Sequence, residues 1–237
     1  MPDLLIELFS EEIPARMQTR AAEDLRRLVT DGMVEAGLTY AHAAAFSTPR
    51  RLTLTIEGAL DASPTTVEER KGPRADAPEK AIEGFLRGAG LTRDALEPRE
   101  TSKGTILFAK ITKKGRPAAD IVAEVLAHTV RTFPWPKSMR WGSGSLKWVR
   151  PLHSILCISV AEEGAEVIPL EVEGIVSSDV TYGHRFMAPD AIKVTSFDDY
   201  TATLARAHVI LDAKTRAETI WNDVANMAFA QGLEVVE

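Results

Sequence analysis

The chain has 237 residues, 45% of them hydrophobic and 26% charged, enough to bury a real core as one large domain or two small ones. A formal net charge of −6 excludes a uniformly basic nucleic-acid binder, and a single cysteine, Cys157, excludes an internal disulfide framework or a multi-thiolate metal site. No apolar stretch approaches the length of a membrane span and no basic segment precedes the first apolar run, so the expectation is a soluble, cytoplasmic protein with no membrane partner.

Asp3 to Phe9 is an apolar run around Glu7 that suits a strand. Ser10, Glu11 and Glu12 stand before Pro14 and read as a helix start, the two carboxylates favoured by the helix dipole rather than paired for acid–base work. Met17, Ala21, Leu25, Leu28 and Met33 follow at helical spacing until Gly37. Ala44–Thr48 and Arg51–Gly58 read as strands, the second alternating apolar and polar as a half-buried strand does. Thr48-Pro49-Arg50-Arg51 joins them and sets Arg50 and Arg51 at a loop tip, suited to RNA phosphate, to a partner's carboxylates or simply to solvent.

Residues 61–78 are polar and rich in Pro, Thr, Glu and Arg, the composition of a linker or mobile loop. A helix follows over Glu79–Gly90 with Ala81, Ile82, Phe85 and Leu86 on one face. Lys71-Gly72-Pro73-Arg74 lacks the spacing of a phosphate-binding loop, and no nucleotide site is expected there. Thr105–Thr112 is a strand, Lys113-Lys114-Gly115 a turn, and Ala118–Thr132 a helix burying Ile121, Val122, Val125, Leu126 and Val130.

Phe133 to His153 holds three of the four tryptophans and no acid. Pro134 and Pro136 hold Trp135 out of a helix, and Gly142 and Gly144 with their serines make a turn. Lys137, Arg140, Lys147 and Arg150 interleave with Trp135, Trp141 and Trp148, an arrangement able to stack and to contact phosphates or bases. The competing reading makes the indoles core and the cations a solvated rim. From Thr101 to Ser159 ten basic residues, beginning with Lys103, face two acids; the local excess of +8 leaves −14 on the rest of the chain, a candidate footprint for a polyanion unless those cations pair with distant acids.

S-I-L-C-I-S-V at 154–160 and V-I-P-L-E-V-E-G at 167–174 read as an antiparallel pair around Glu162-Glu163-Gly164, and Ser177–Tyr182 as a polar connection. In Gly183-His184-Arg185-Phe186, His184 and Arg185 form the best polar pair for a phosphate, although His184 is equally a turn residue bonding a backbone carbonyl. Ser196 opens a helix to about Ala207, His208–Leu211 reads as a short strand, and Asp212 caps a last helix to about Gln231 carrying Ile220, Trp221, Val224 and Met227. The five histidines are scattered, and neither H-E-x-x-H, G-x-S-x-G nor G-x-G-x-x-G occurs, so no catalytic residue and no metal site is expected. The whole is α+β, with mixed and antiparallel sheets and packed helices. Two lobes are expected: 1–150 with an inserted helical segment at about 61–100, and 151–237, cut short at its C-terminal end.

Several stretches carry a resemblance. W-P-K-S-M-R-W-G at 135–142 and W-V-R-P-L-H-S-I at 148–155 resemble the β subunit of the bacterial two-subunit glycyl-tRNA synthetase, as do L-L-I-E-L-F-S-E-E-I-P at 4–14, T-P-R-R-L at 48–52, R-K-G-P at 70–73, A-I-E-G-F-L at 81–86 and G-H-R-F at 183–186. The resemblance implies an N-terminal fragment of a longer subunit. Its partners would be tRNA(Gly), the α subunit and a second β subunit in a heterotetramer, and the α subunit would use ATP with magnesium while this fragment holds no cofactor. It assigns no residue-level roles. The candidate tRNA contacts Arg50, Arg51, Lys137, Arg140, Trp141, Lys147, Arg150, His184 and Arg185 therefore rest on charge and stacking, and a purely structural assembly module is the alternative.

Overall fold

A computed structural model describes residues 1–101 and 104–236; Lys103 lies outside the described residues. The chain begins with β1 (Asp3–Ser10), α1 (Ala15–Glu35), β2 (His42–Thr48) and β3 (Arg51–Glu57). Next come β4 (Thr66–Arg74), α2 (Glu79–Ala89), β5 (Leu96–Thr101) and β6 (Gly104–Lys113). The remainder is α3 (Ala118–Thr132), β7 (Leu152–Ala161), β8 (Gly164–Val167), β9 (Glu171–Val172), β10 (Ile175–Ser178), β11 (Val180–Tyr182), β12 (Ala191–Lys193), α4 (Phe197–Arg206) and α5 (Ala213–Ala230). The fold is α+β.

The compact units differ from the two lobes expected. One unit joins residues 1–61 to 117–237, and the other is 62–116. The boundary expected at residue 150 falls inside the first unit, because β7, which follows it, lies antiparallel beside β1 along nearly its whole length. Strand pairing over so large a sequence separation is invisible to a reading that looks for local changes of pattern.

Within the larger unit seven of the described strands form a sheet in the order β2-β3-β1-β7-β10-β9, with β8 added to β7, and β11 pairs with β12 in a separate two-stranded sheet. Successive side chains of a strand point to opposite faces, and β1 is buried on both. Leu4, Ile6 and Leu8 join Leu52, Leu54 and Ile56 of β3 under α1 and α3, while Leu5 lies with Leu156 and Ile158 of β7 under Tyr200 and Leu204 of α4. The alternation in β3 is thus real, but its polar face is covered too: Arg51, Thr53 and Thr55 are all buried.

Burial of Cys157 in β7 pushes its thiol up to about 12. Thiolate is the reactive form. We therefore expect an alkylating reagent at neutral pH to label Cys157 only after denaturant is added; prompt labelling of the folded chain would show that this part of the sheet opens.

Local signals that resolved well have clear causes. The Ser196 side chain accepts from the Asp199 backbone N–H at 3.1 Å and Asp212 accepts from Thr215 at 2.7 Å, so α4 and α5 start where capping residues place them. Other expectations are corrected. α1 starts behind Pro14 with no side-chain cap and no acid in its first turn, so Glu11 and Glu12 serve another purpose. Glu171–Val172 pairs with β10 rather than with β7, and Ser177–Tyr182 supplies parts of β10 and β11 instead of a connection. His208–Leu211 is not a strand: His208 adopts a left-handed φ of 61°. α5 forms as expected, and the Ile220, Trp221, Val224 and Met227 that it carries are exposed.

The second unit, by itself, is an antiparallel sheet β4-β6-β5 with α2 against it. Half of the stretch 61–78 is therefore a strand, Thr66–Arg74, rather than a linker. Its polarity reflects a strand exposed through most of its length, with Ile82, Ile106 and Ala109 as the buried residues beneath. Gly72 is a packing residue, since a Cβ there would lie 2.7 Å from the Phe85 ring and 2.9 Å from the Leu107 carbonyl oxygen. Among the described residues no helix is long and apolar enough to cross a membrane.

Candidate nucleic-acid interface

The sheet brings several chain segments to one edge. β1 ends there, while β3 and β7, antiparallel to it, begin there. The loop leaving β1 carries Glu11 and Glu12, and the segments around it at that edge carry cations in two groups.

The first group is the loop between α3 and β7. Its indoles settle inward: Trp148 is fully buried, with ring centroids 4.9 Å from Phe133 and 5.0 Å from Trp135, and Trp135 and Trp141 pack partly buried on the same core. Trp141, a candidate base-stacking residue, is thus largely a packing residue. The Met139 N–H donates to the Trp148 carbonyl at 2.8 Å and the Trp148 N–H returns to Met139 at 3.1 Å, closing the loop as a short antiparallel bridge. That register sets Arg140 opposite Lys147, one residue further along each arm. Among the described residues neither they nor Lys137 meets a carboxylate, and Arg150 reaches only the Val149 carbonyl. Glu173, which does approach the loop, accepts instead from the Ser145 backbone N–H at 3.2 Å and hydroxyl at 2.8 Å; those bonds hold its carboxyl below the usual range.

The wider basic segment does not behave as one patch. Lys110 pairs with Glu97 at 2.7 Å and Lys113 with Glu68 at 3.6 Å, both within the smaller unit, and Arg131 donates to the Glu171 carbonyl. The footprint shrinks to residues 137–150.

The second group gathers Arg50, Arg51, His184 and Arg185 from two distant motifs, and adds three residues that charge reading missed: Glu11, Glu12 and His153. His153 Nε2 donates to Glu11 at 2.9 Å, Arg50 lies 3.5 Å from the same carboxylate, and Arg185 bonds both Glu11 and, at 3.1 Å, Glu12. The His153 hydrogen bond, aided by the charges of Arg50 and Arg185, holds the Glu11 carboxyl below its ordinary value despite some burial. Burial and the neighbouring Arg185 charge pull the Arg50 guanidinium below its own. Arg50 also lies over the Phe9 ring, 4.6 Å from its centroid.

Arg51 is corrected outright. It is 2% exposed, its Nη1 lies 3.5 Å from Glu7 and its Nη2 donates to the Tyr182 carbonyl at 2.8 Å, so it is a structural ion-pair partner rather than a loop-tip contact. His184 is a turn residue, but as an acceptor: its Nδ1 receives the backbone N–H groups of Phe186 and Met187 at 3.3 and 3.2 Å. The signal that could have exposed the cluster is positional. Polar residues at the C-terminal end of one central strand and at the N-terminal ends of its antiparallel neighbours must share an edge. Among the described residues no group of three or more His, Cys, Asp or Glu is placed to hold a metal ion.

The family model described as glycyl-tRNA synthetase beta subunit matches residues 4–237. Glycine-tRNA ligase beta subunits of Ruegeria sp. (strain TM1040) and Dinoroseobacter shibae are each 69% identical over 237 residues, all of this chain and 34% and 33% of theirs. That of Paracoccus denitrificans is 67% identical over 236 residues. The chain spans about a third of the length of these curated relatives.

Proposed function

The chain belongs to the glycyl-tRNA synthetase β-subunit family, and from that premise we propose that it acts as an RNA-contacting part of a glycine-tRNA ligase. In this reading the joining of glycine to tRNA, with ATP and magnesium, belongs to the α subunit. This chain helps hold tRNA(Gly) and sits in an assembly with the α subunit and a second β subunit.

The observation that carries the reading is the facing pair Arg140 and Lys147, exposed on a loop anchored by buried indoles and with no carboxylate in reach among the described residues. Like charges directly opposite each other destabilise a strand pair, and a phosphate between them removes that repulsion. Lys137 and Arg150 extend the same surface. The assembly alternative draws on α5, whose Ile220 and Trp221 are 58% and 44% exposed. Its association would be insensitive to salt.

Binding of tRNA(Gly) by Arg140→Ala and Lys147→Ala, each measured against the parent across a salt series, separates the two. Each variant should weaken binding and lower the salt slope by about 1, the signature of one lost phosphate contact. Unchanged affinity and slope in both variants would move the function of this loop to protein contacts.

A further inference from the structure

Thr48-Pro49-Arg50-Arg51 and Gly183-His184-Arg185-Phe186, more than 130 residues apart in sequence, line one cleft of about 310 Å³. Gly183 lets the second motif pack tightly on its own surroundings: a Cβ there would lie 2.6 Å from that of Ala207 and 2.8 Å from the Ala188 carbonyl oxygen. Four arginines line the cleft, and Glu12 is its only acid among the described residues. Arg216 is committed to the Ile210 carbonyl at 2.8 Å.

The cleft also holds spare donors. Arg50 Nε and Arg51 Nε are buried and have no hydrogen-bond acceptor among the described residues, while Arg51 Nη1 is held by the Glu7 carboxylate at 3.5 Å. Because His184 Nδ1 accepts two backbone N–H groups, the ring proton of the neutral imidazole sits on Nε2, a donor without an acceptor among the described residues. Buried donors left unpaired are costly, and a cleft that gathers several of them is built for an anionic oxygen. Beside them Phe186 is 82% exposed, with its ring centroid 6.2 Å from that of His184. An exposed aromatic next to spare cationic donors fits a base attached to a phosphate better than a simple inorganic anion or a carboxylate.

We propose that this cleft binds one nucleotide unit of RNA, its phosphate held by Arg50, Arg185 and His184 Nε2 and its base laid on Phe186. Without ligand Arg185 is kept in place by Glu11 and Glu12, and phosphate competes with those carboxylates for it. The inference deepens the RNA-contact reading, but it places the contact away from the loop at 137–150 and is tested separately.

The test titrates adenosine 5′-monophosphate, adenosine and inorganic phosphate against the 237-residue chain at low salt, by calorimetry. The mononucleotide should bind saturably at millimolar concentration and about tenfold more tightly than either half alone, within the range that base stacking supplies. Phe186→Ala should abolish that tenfold advantage and leave phosphate binding unchanged. Arg185→Ala should weaken both, with Arg185→Lys recovering part of the phosphate affinity. Equal affinities for the mononucleotide and phosphate, unaffected by Phe186→Ala, would reduce the cleft to an anion site and overturn the proposal, as would no saturable binding of the mononucleotide. Arg140→Ala and Lys147→Ala should leave mononucleotide binding intact. Salt-dependent tRNA binding without mononucleotide binding refutes the cleft alone, and the reverse pattern refutes the loop alone.

Discussion

Replacing Arg51 by alanine is expected to cost the fold about 3–5 kcal/mol, the range for a buried ion pair that loses one partner. The reason lies in Glu7. Its carboxylate, 0% exposed at the centre of β1, accepts the Thr181 hydroxyl on both oxygens at 2.7 and 2.9 Å and the Tyr200 hydroxyl as well, while Arg51 is its cationic partner. Thr53 completes the group with a 2.8 Å bond to Tyr200. Burial and the charge of Glu7 push the Tyr200 phenol well above its ordinary value, so it stays a hydrogen-bond donor throughout the working pH range. The hydroxyls cannot replace the charge of Arg51, and truncation leaves a carboxylate buried with no counter-ion.

Glu7→Gln should destabilise comparably by stranding Arg51. The double variant should lose less than the sum of the two, with a coupling of about 1–3 kcal/mol. Urea unfolding with an unchanged m-value measures all three. A loss below about 1 kcal/mol for Arg51→Ala would mean that the pair is hydrated and that the polar layer under α4 does not hold the sheet together.

Trp148→Ala is the second large effect, a loss of about 3–5 kcal/mol, as for other large aromatic truncations in a core. The indole is wholly buried among Phe133 and Trp135, two contacts that also fix the start of the loop. Trp148→Phe should recover a substantial part of the loss. The truncation should also weaken tRNA binding although it removes no cation, because the bridge from Met139 to Trp148 is what sets Arg140 opposite Lys147. A stable Trp148→Ala variant with parental tRNA affinity would show that the loop keeps its shape without its anchor.

Those two residues mark what could and could not be read from the chain. Elements whose start and face are set locally were legible. α3 occupies Ala118–Thr132 as its apolar spacing predicts, β2 and β3 form the expected hairpin, and Ser196 and Asp212 cap the helices they precede. Whatever depends on a distant partner was not. The alternation of β3 was plain, but its polar side is covered by segments far along the chain: Tyr200 of α4 bonds Thr53, and the Tyr182 carbonyl of β11 accepts from Arg51. Glu11 and Glu12 had the composition of a helix start, yet their partners are His153 and Arg185 across the sheet edge. The weak polar strands β4 and β11 lacked an apolar signature because one is largely exposed and the other pairs its Thr181 with Glu7.

The candidate site divides the same way. The basic, acid-free character of residues 137–150 was visible, and the fold keeps those cations unpaired among the described residues; the inward turn of the indoles was the competing reading and is the one observed. Of the remaining candidates, Arg50, His184 and Arg185 share a cleft that neither motif announces alone.

The central claim is that this surface meets the phosphates of tRNA, and one titration tests it most directly: the affinity of the parent chain for tRNA(Gly) from about 50 to 200 mM salt. Three phosphate contacts by the loop predict a log–log slope of about −2.7, an affinity loss of about 40-fold over that range. A flat salt response, or no binding at the lowest salt by a chain shown to be folded, would contradict the account.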